Sequence, residues 1–180
     1  MTATEPEVRV APVKRSATFS EDRKLRFDLV RDWRDEIGTP DKTVLFVMLN
    51  PSKAGEEADD PTVRKTVGFA RRWGFGRVVL VNLTPIVSTN PCDLPPWRGI
   101  DMVNRAVQQR WMAVADLVVA AWGSQPNAIC RQIALPELVY LFRQTAPVPL
   151  YCIGTMRRGD PLHPSRAPYT MSPLLWRDAE

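Results

Sequence analysis

Residues 44–52 read VLFVMLNPS. Six apolar residues run without interruption into a polar Asn50, a rigid Pro51 and the hydroxyl of Ser52. Lys42-Thr43 opens the run and a proline closes it, the pattern of a short strand buried on both faces. Strands of that kind belong to parallel sheets, whose two faces are covered by helices. Where the strand stops, the chain delivers an amide and a hydroxyl to the rim of the sheet.

The same phrase recurs three times. Residues 78–81 are VVLV followed by Asn82, and residues 117–121 are LVVAA followed by Trp122-Gly123-Ser124. Residues 150–153 are LYCI, after which Gly154 opens a long loop holding Arg157, Arg158, His163, Pro164, Ser165 and Arg166. Helical patterns separate the strands. Asp60 is a good N-cap and Pro61 suits the first helical position; Val63, Val67 and Ala70 form a stripe, and Gly74 supplies the stop. Arg64, Lys65, Arg71 and Arg72 fall largely outside that stripe, as a solvated basic flank does. A proline-punctuated loop over 84–96 leads to a second helix over 100–114, with Ile100, Val103, Val107, Trp111 and Val114 facing inward. A third helical region spans 126–144, broken or restarted at Pro136.

Four short apolar strands alternating with helices predict an α/β fold: a three-layer α/β/α domain around a four-stranded parallel sheet with right-handed crossovers. Residues 1–16 have prolines, charges and no periodicity and read as a flexible arm, leaving 17–180 as a single domain. Residues 17–19 and 25–29, in which Leu25, Phe27 and Leu29 alternate with charges, predict a hairpin or edge strand over the core. Leu174, Leu175 and Trp176 read as a patch that docks back on the body.

At 44% hydrophobic and 24% charged residues, the 180-residue chain has the make-up of a soluble globular protein. No apolar segment reaches the length of a membrane span and no signal-peptide core opens the chain, so a cytoplasmic location is expected. Cys92, Cys130 and Cys152 fit no disulfide framework and no metal-ligand spacing. The net charge of +4 permits a polyanionic partner without requiring one.

In an open parallel sheet, ligands bind beyond the carboxyl ends of the strands. That rule gathers Asn50, Asn82, Trp122-Gly123 and the His163 loop on one rim. His163 is the chain's single histidine, so any imidazole chemistry passes through it; its competing role is to cap a backbone group. Asn50 and Asn82 each offer a donor and an acceptor, suited to the edge of a nucleobase or to holding a water, or else each caps a strand end. The chain has no phosphate-loop glycine motif and no dinucleotide fingerprint; it has no metal-ligand cluster and no nucleophile elbow, so neither cofactor nor metal is expected. Asp59 and Asp60 could form a carboxylate pair, but capping accounts for Asp60 more simply.

Asn50-Pro51-Ser52, the 78–82 segment, Trp122-Gly123-Ser124 and His163-Pro164-Ser165 together resemble, in order, the signature segments of the uracil-DNA glycosylase superfamily. Over residues 18–173 the chain resembles more closely the bacterial and phage family called domain of unknown function 1643, including LNPS at 49–52, DDPT at 59–62 and AWG at 121–123. The first resemblance implies a uracil-DNA glycosylase-like fold and a set of roles. Asn50 would position the water that attacks the sugar C1′, and His163 would stabilise charge on the departing base. Asn82 would read the edge of the flipped base, while Ser52 and Ser165 would hold phosphates. Arg166 stands where related enzymes insert a wedge, and a phosphate contact suits an arginine better. An aromatic partner for the base would come from Phe69, Trp73 or Phe75. Two features depart from the superfamily: Met48 replaces its usual glycine, and Asn50 replaces the aspartate of its most active members. The expectation is an enzyme acting at the N-glycosidic bond of an unusual or modified base, in DNA, RNA or a nucleotide. The alternative is a non-catalytic nucleotide or nucleic-acid binder on the same fold.

Overall fold

The computed structural model describes residues 13–90, 94, 101–123, 139–140, 142–144 and 148–176. Its strands are β1 (Lys14–Phe19), β2 (Arg26–Asp32), β3 (Thr43–Met48), β4 (Arg77–Asn82), β5 (Leu117–Ala120), β6 (Leu150–Cys152) and β7 (Leu174–Leu175). They form one seven-stranded sheet in the order β1-β2-β4-β3-β5-β6-β7. β4, β3, β5 and β6 pair in parallel, whereas β1, β2 and β7 join antiparallel. The expected four-stranded sheet is therefore too small, and the sheet is mixed. Both margins are built from segments read in the sequence as coverings: the 14–32 hairpin extends one side, and Leu174-Leu175 pairs with β6 on the other.

Alternation along the central strands sorts their side chains into two cores. Leu45, Val47, Val79, Val81, Val118 and Ala120 face one way, where α2 (Met102–Met112) contributes Met112. Val44, Phe46, Met48, Val78, Leu80 and Val119 face the other, where α1 (Pro61–Arg72) contributes Val63, Phe69 and Ala70. A helix thus lies on each face. α1 begins as its sequence predicts, with Asp60 accepting from the Val63 N–H at 2.7 Å and Pro61 in the first turn. It ends at Trp73, and Gly74 takes the left-handed conformation (φ 77°) that an L side chain avoids.

Three sequence readings need correction. β1 takes in residues 14–16 of the stretch assigned to the arm; residues 1–12 lie outside the described region. On β2 the charges alternating with Phe27 and Leu29 do not face solvent, for Arg26, Asp28 and Arg31 are all buried. β2 lies between β1 and β4, so neither of its edges is free, and its faces are covered by α2 and by residues 54–59: Asp28 accepts from Trp111 Nε1 at 2.8 Å, Arg31 is held by Asp59, and Arg26 donates to the Ala54 carbonyl. Val103 on α2 and Val114 just past its end are 56% and 55% exposed; Trp111 packs against the core as expected, and the buried residues of the helix are Asn104, Gln108 and Met112. The helix turns two amides inward because carbonyls await them. Asn104 Nδ2 and Gln108 Nε2 donate to the Asn82 carbonyl at 3.0 and 2.6 Å. Ile100 lies outside the described residues, as does most of the third helical region, of which 139–140 and 142–144 are helical.

Candidate functional site

β3 and β4 keep exchanging hydrogen bonds past their ends: the Leu83 N–H reaches the Met48 carbonyl at 2.9 Å and Thr84 reaches Leu49 at 3.0 Å. The two strand ends therefore leave the sheet in register. Asn50-Pro51-Ser52 is then fastened across to the 84–90 loop. The Ser88 N–H donates to the Pro51 carbonyl at 2.9 Å, and Asn50 Nδ2 donates to the Ser88 carbonyl at 2.8 Å. With its nitrogen committed, Asn50 keeps Oδ1 as its available group, an acceptor for a water or a hydroxyl.

Opposite stands the loop that follows β6. His163 caps a single 3₁₀ turn, Pro164–Arg166. The Ser165 N–H donates to His163 Nδ1 at 3.3 Å, and the Ser165 hydroxyl lies 2.7 Å from the same nitrogen. Nδ1 is thus the accepting nitrogen, and the neutral ring carries its proton on Nε2. Burial, reinforced by Arg166 and opposed by Asp60, holds the imidazole below its ordinary pKa, so the ring is neutral at pH 7. Gly123 makes this placement possible. It has φ 75°, and a Cβ there would come within 3.2 Å of the His163 Cβ. Tyr169 moors the far end of the loop, packing on Phe69 with ring centroids 5.0 Å apart. Lys65 and Arg72 lie over its ring at 3.9 and 4.1 Å, and Gly68 leaves the room its hydroxyl occupies.

Between these walls lies a cavity of about 410 Å³, within the usual size of small-molecule sites. Asn50, Ser52, Asn82, His163, Ser165 and Arg166 all line it. It grades from wet to dry: Ser165 and Arg166 are exposed at its mouth, whereas Met48, Leu80 and Asn82 are buried. Asn82 is 0% exposed, and neither its Oδ1 nor its Nδ2 has a partner among the described residues. A buried amide with both valences open, lining a cavity, is set to meet a ligand that offers one acceptor and one donor.

The expected aromatic partner is not where the sequence put it. Phe69 and Trp73 pack at a tilt in the core with ring centroids 5.1 Å apart, and Phe75 packs against the same core; none lines the cavity, whose wall includes Trp122. Met48 forms part of the buried wall.

Sequence reasoning missed two charged lining residues, Asp60 and Arg26. Asp60 was read only as a cap, yet its carboxylate both caps α1 through Oδ1 and accepts the Ser52 hydroxyl through Oδ2. Arg26 drew no notice as a site residue, yet it is 2% exposed, donates from Nη1 to the Ala54 carbonyl at 2.8 Å and lines the cavity. No pattern in the sequence marked Arg26, because alternation assigns a face and says nothing of what covers it. Asp59 forms no pair with Asp60; it holds the buried Arg31 at 2.7 Å. Among the described residues no group of side chains could hold a metal ion, and no helix is long and apolar enough to cross a membrane.

The family model for proteins of unknown function called DUF1643 matches residues 26–165, the span that carries all but one of these lining side chains, Arg166 being the next residue along. The chain belongs to that family. No curated protein and no solved structure matches it. The family span runs from Arg26 at the start of β2 to Ser165 in the histidine turn, so its two ends meet at the cavity.

Proposed function

We propose that the cavity receives a nucleobase and that the protein acts at its N-glycosidic bond, in the manner of the uracil-DNA glycosylases it resembles in its short motifs. The observation that carries this reading is the buried, unpartnered amide of Asn82 in a cavity that Asn50 and His163 also line. A donor–acceptor amide complements the edge of a base, which extends the same pair of functions in reverse. Asn50 Oδ1 would orient the attacking water at the sugar C1′. An amide cannot take the water's proton, so the C1′–N bond breaks ahead of attack, the base departs as an anion with the bonding pair, and that anion takes up the proton released as water adds to C1′. The neutral His163, with its proton on Nε2, would donate to the charge building on that base, and a neutral donor stays in place without surrendering a proton. Ser165 and Arg166, exposed at the mouth, would meet phosphate.

A second reading, a binder without turnover, has one observation in its favour. Asp60 is the carboxylate of the cavity wall, and both its oxygens are engaged, leaving no free general base. A product screen separates the two. The protein is incubated with uracil-, hypoxanthine- and modified-base DNA and RNA and with nucleotides, and free base is sought by mass spectrometry. Base released by the native protein and abolished in Asn50→Ala and His163→Ala establishes the glycosidic reaction. Ligand retained without release establishes the binder, and full activity in both variants overturns the roles of Asn50 and His163.

A further inference from the structure

β2 buries two arginines, and the protein treats them differently. Arg31, 1% exposed, is neutralised internally: Asp59 lies 2.7 Å from Nη2, and the Gly55 and Val30 carbonyls accept from the same guanidinium at 2.6 and 2.8 Å. Arg26, 2% exposed, forms no ion pair among the described residues. Its one acceptor among them is the Ala54 carbonyl, and its Nε is buried without a partner. A guanidinium out of water with neither carboxylate nor full hydrogen bonding is a costly arrangement that folding alone would not retain. Burial draws its pKa down to about 10, still far above neutrality, so the charge is present under ordinary conditions. The nearby negative charges are Asp60 and Asp28, and both are engaged elsewhere: Asp60 holds the Val63 N–H and the Ser52 hydroxyl, and Asp28 the Thr18 N–H and Trp111 Nε1. Arg26 and Arg166 against Asp60, with His163 neutral, leave the cavity wall one positive charge in excess.

We infer that the ligand of this cavity carries an oxyanion, a terminal phosphate or a carboxylate, and that Arg26 is the residue that binds it. The inference rests on the cavity being a ligand site and deepens the nucleobase reading: the preferred ligand is a small nucleotide-like anion. An internal phosphodiester has chain on both sides and needs an open groove, which a residue 2% exposed does not offer. A terminal oxyanion enters head-first. There it supplies the acceptors that Nε lacks, and the Asn82 amide in the same wall reads the polar edge of the attached ring.

The test compares matched ligands by titration calorimetry: nucleosides, their 5′-monophosphates, uracil-6-carboxylate, inorganic phosphate and short single-stranded oligonucleotides. At least one monophosphate or carboxylate binds the native protein about tenfold or more tighter than its neutral counterpart, the scale of a charged hydrogen bond. Arg26→Met brings the two within about twofold, and Arg26→Lys restores part of the preference. The monophosphate and carboxylate arms distinguish the two sources of the oxyanion. Nucleosides that bind as tightly as their charged forms overturn the inference and leave the base-reading site standing. Inorganic phosphate bound through Arg26, with no nucleoside or nucleotide bound more tightly, does the reverse. If Arg26→Met fails to fold, the charged-against-neutral comparison on the native protein decides alone; if no oxyanion is preferred there, the inference is wrong.

Discussion

Asn82→Leu should make the ligand-free protein more stable while removing its ability to bind a base. Leucine has the same number of side-chain heavy atoms and the same branching at Cγ, so it replaces two polar atoms with two methyls and asks for little new space. The native side chain is 0% exposed, and neither of its polar atoms has a partner among the described residues. A buried unsatisfied group costs about 1–3 kcal/mol, so two such atoms place the gross penalty at about 2–6 kcal/mol. Taking the low end, the substitution gains about 2 kcal/mol, or a rise in Tm of about 4–8 °C for a chain of this size. The backbone of residue 82 is undisturbed, since its carbonyl is held by Asn104 and Gln108 whatever the side chain. The assay is urea unfolding of the ligand-free protein, reading a higher midpoint at unchanged m-value. A variant less stable by about 1 kcal/mol or more would refute the reasoning, because it would mean the amide is satisfied within the native protein.

Three further outcomes are expected. Gly123→Ala forces an L side chain to φ 75° and sets a methyl 3.2 Å from the His163 Cβ; a loss of about 1–2 kcal/mol is expected, with reduced ligand binding, and unchanged binding would show that the histidine turn does not depend on this approach. Asp59→Ala strips the buried Arg31 of its carboxylate and should cost about 3 kcal/mol in urea unfolding, whereas a neutral result would show that the loop carbonyls suffice. His163 is held below the 6.5 of an ordinary imidazole, so the unfolded chain binds its proton first. Its contribution to stability is complete above pH 6.5 and is lost as pH falls from there toward the lowered folded value; the slope should be absent in His163→Gln, and equal slopes in the two proteins would contradict it.

How far the sequence could be read depended on what covers each segment. A strand covered on both sides has nowhere to hide a polar residue, so VLFVMLNPS and its three echoes announce themselves, and their polar ends mark the rim. The rim residues Asn50 and Asn82 were legible for the same reason, each following an apolar run directly, and His163 stood out as the chain's single histidine. Periodicity misled on α2 because the inward face carries Asn104 and Gln108, amides that serve carbonyls of the 82–83 turn. On β2 it predicted the strand but not the burial of its charges, since Arg26 and Arg31 are enclosed by neighbours from residues 54–59, far away in sequence. No local pattern can encode partners supplied at that distance. Of the strands at the margins, the β1–β2 hairpin was legible and β7 was not, since β7 is two residues long and takes its strand character from pairing with β6.

The mooring of Tyr169 on α1 has a consequence for synthesis. One wall of the cavity is made early, from residues before 91; the other comes from 156–166 and is fixed only when Tyr169 reaches Phe69 and Gly68. A chain emerging from the ribosome can assemble the hairpin, β3, α1 and β4 long before that anchor is made. The binding cavity is therefore completed late, by a segment near the end of the chain, and a ribosome that stalls or a protease that cuts before residue 169 leaves most of the sheet with half a cavity.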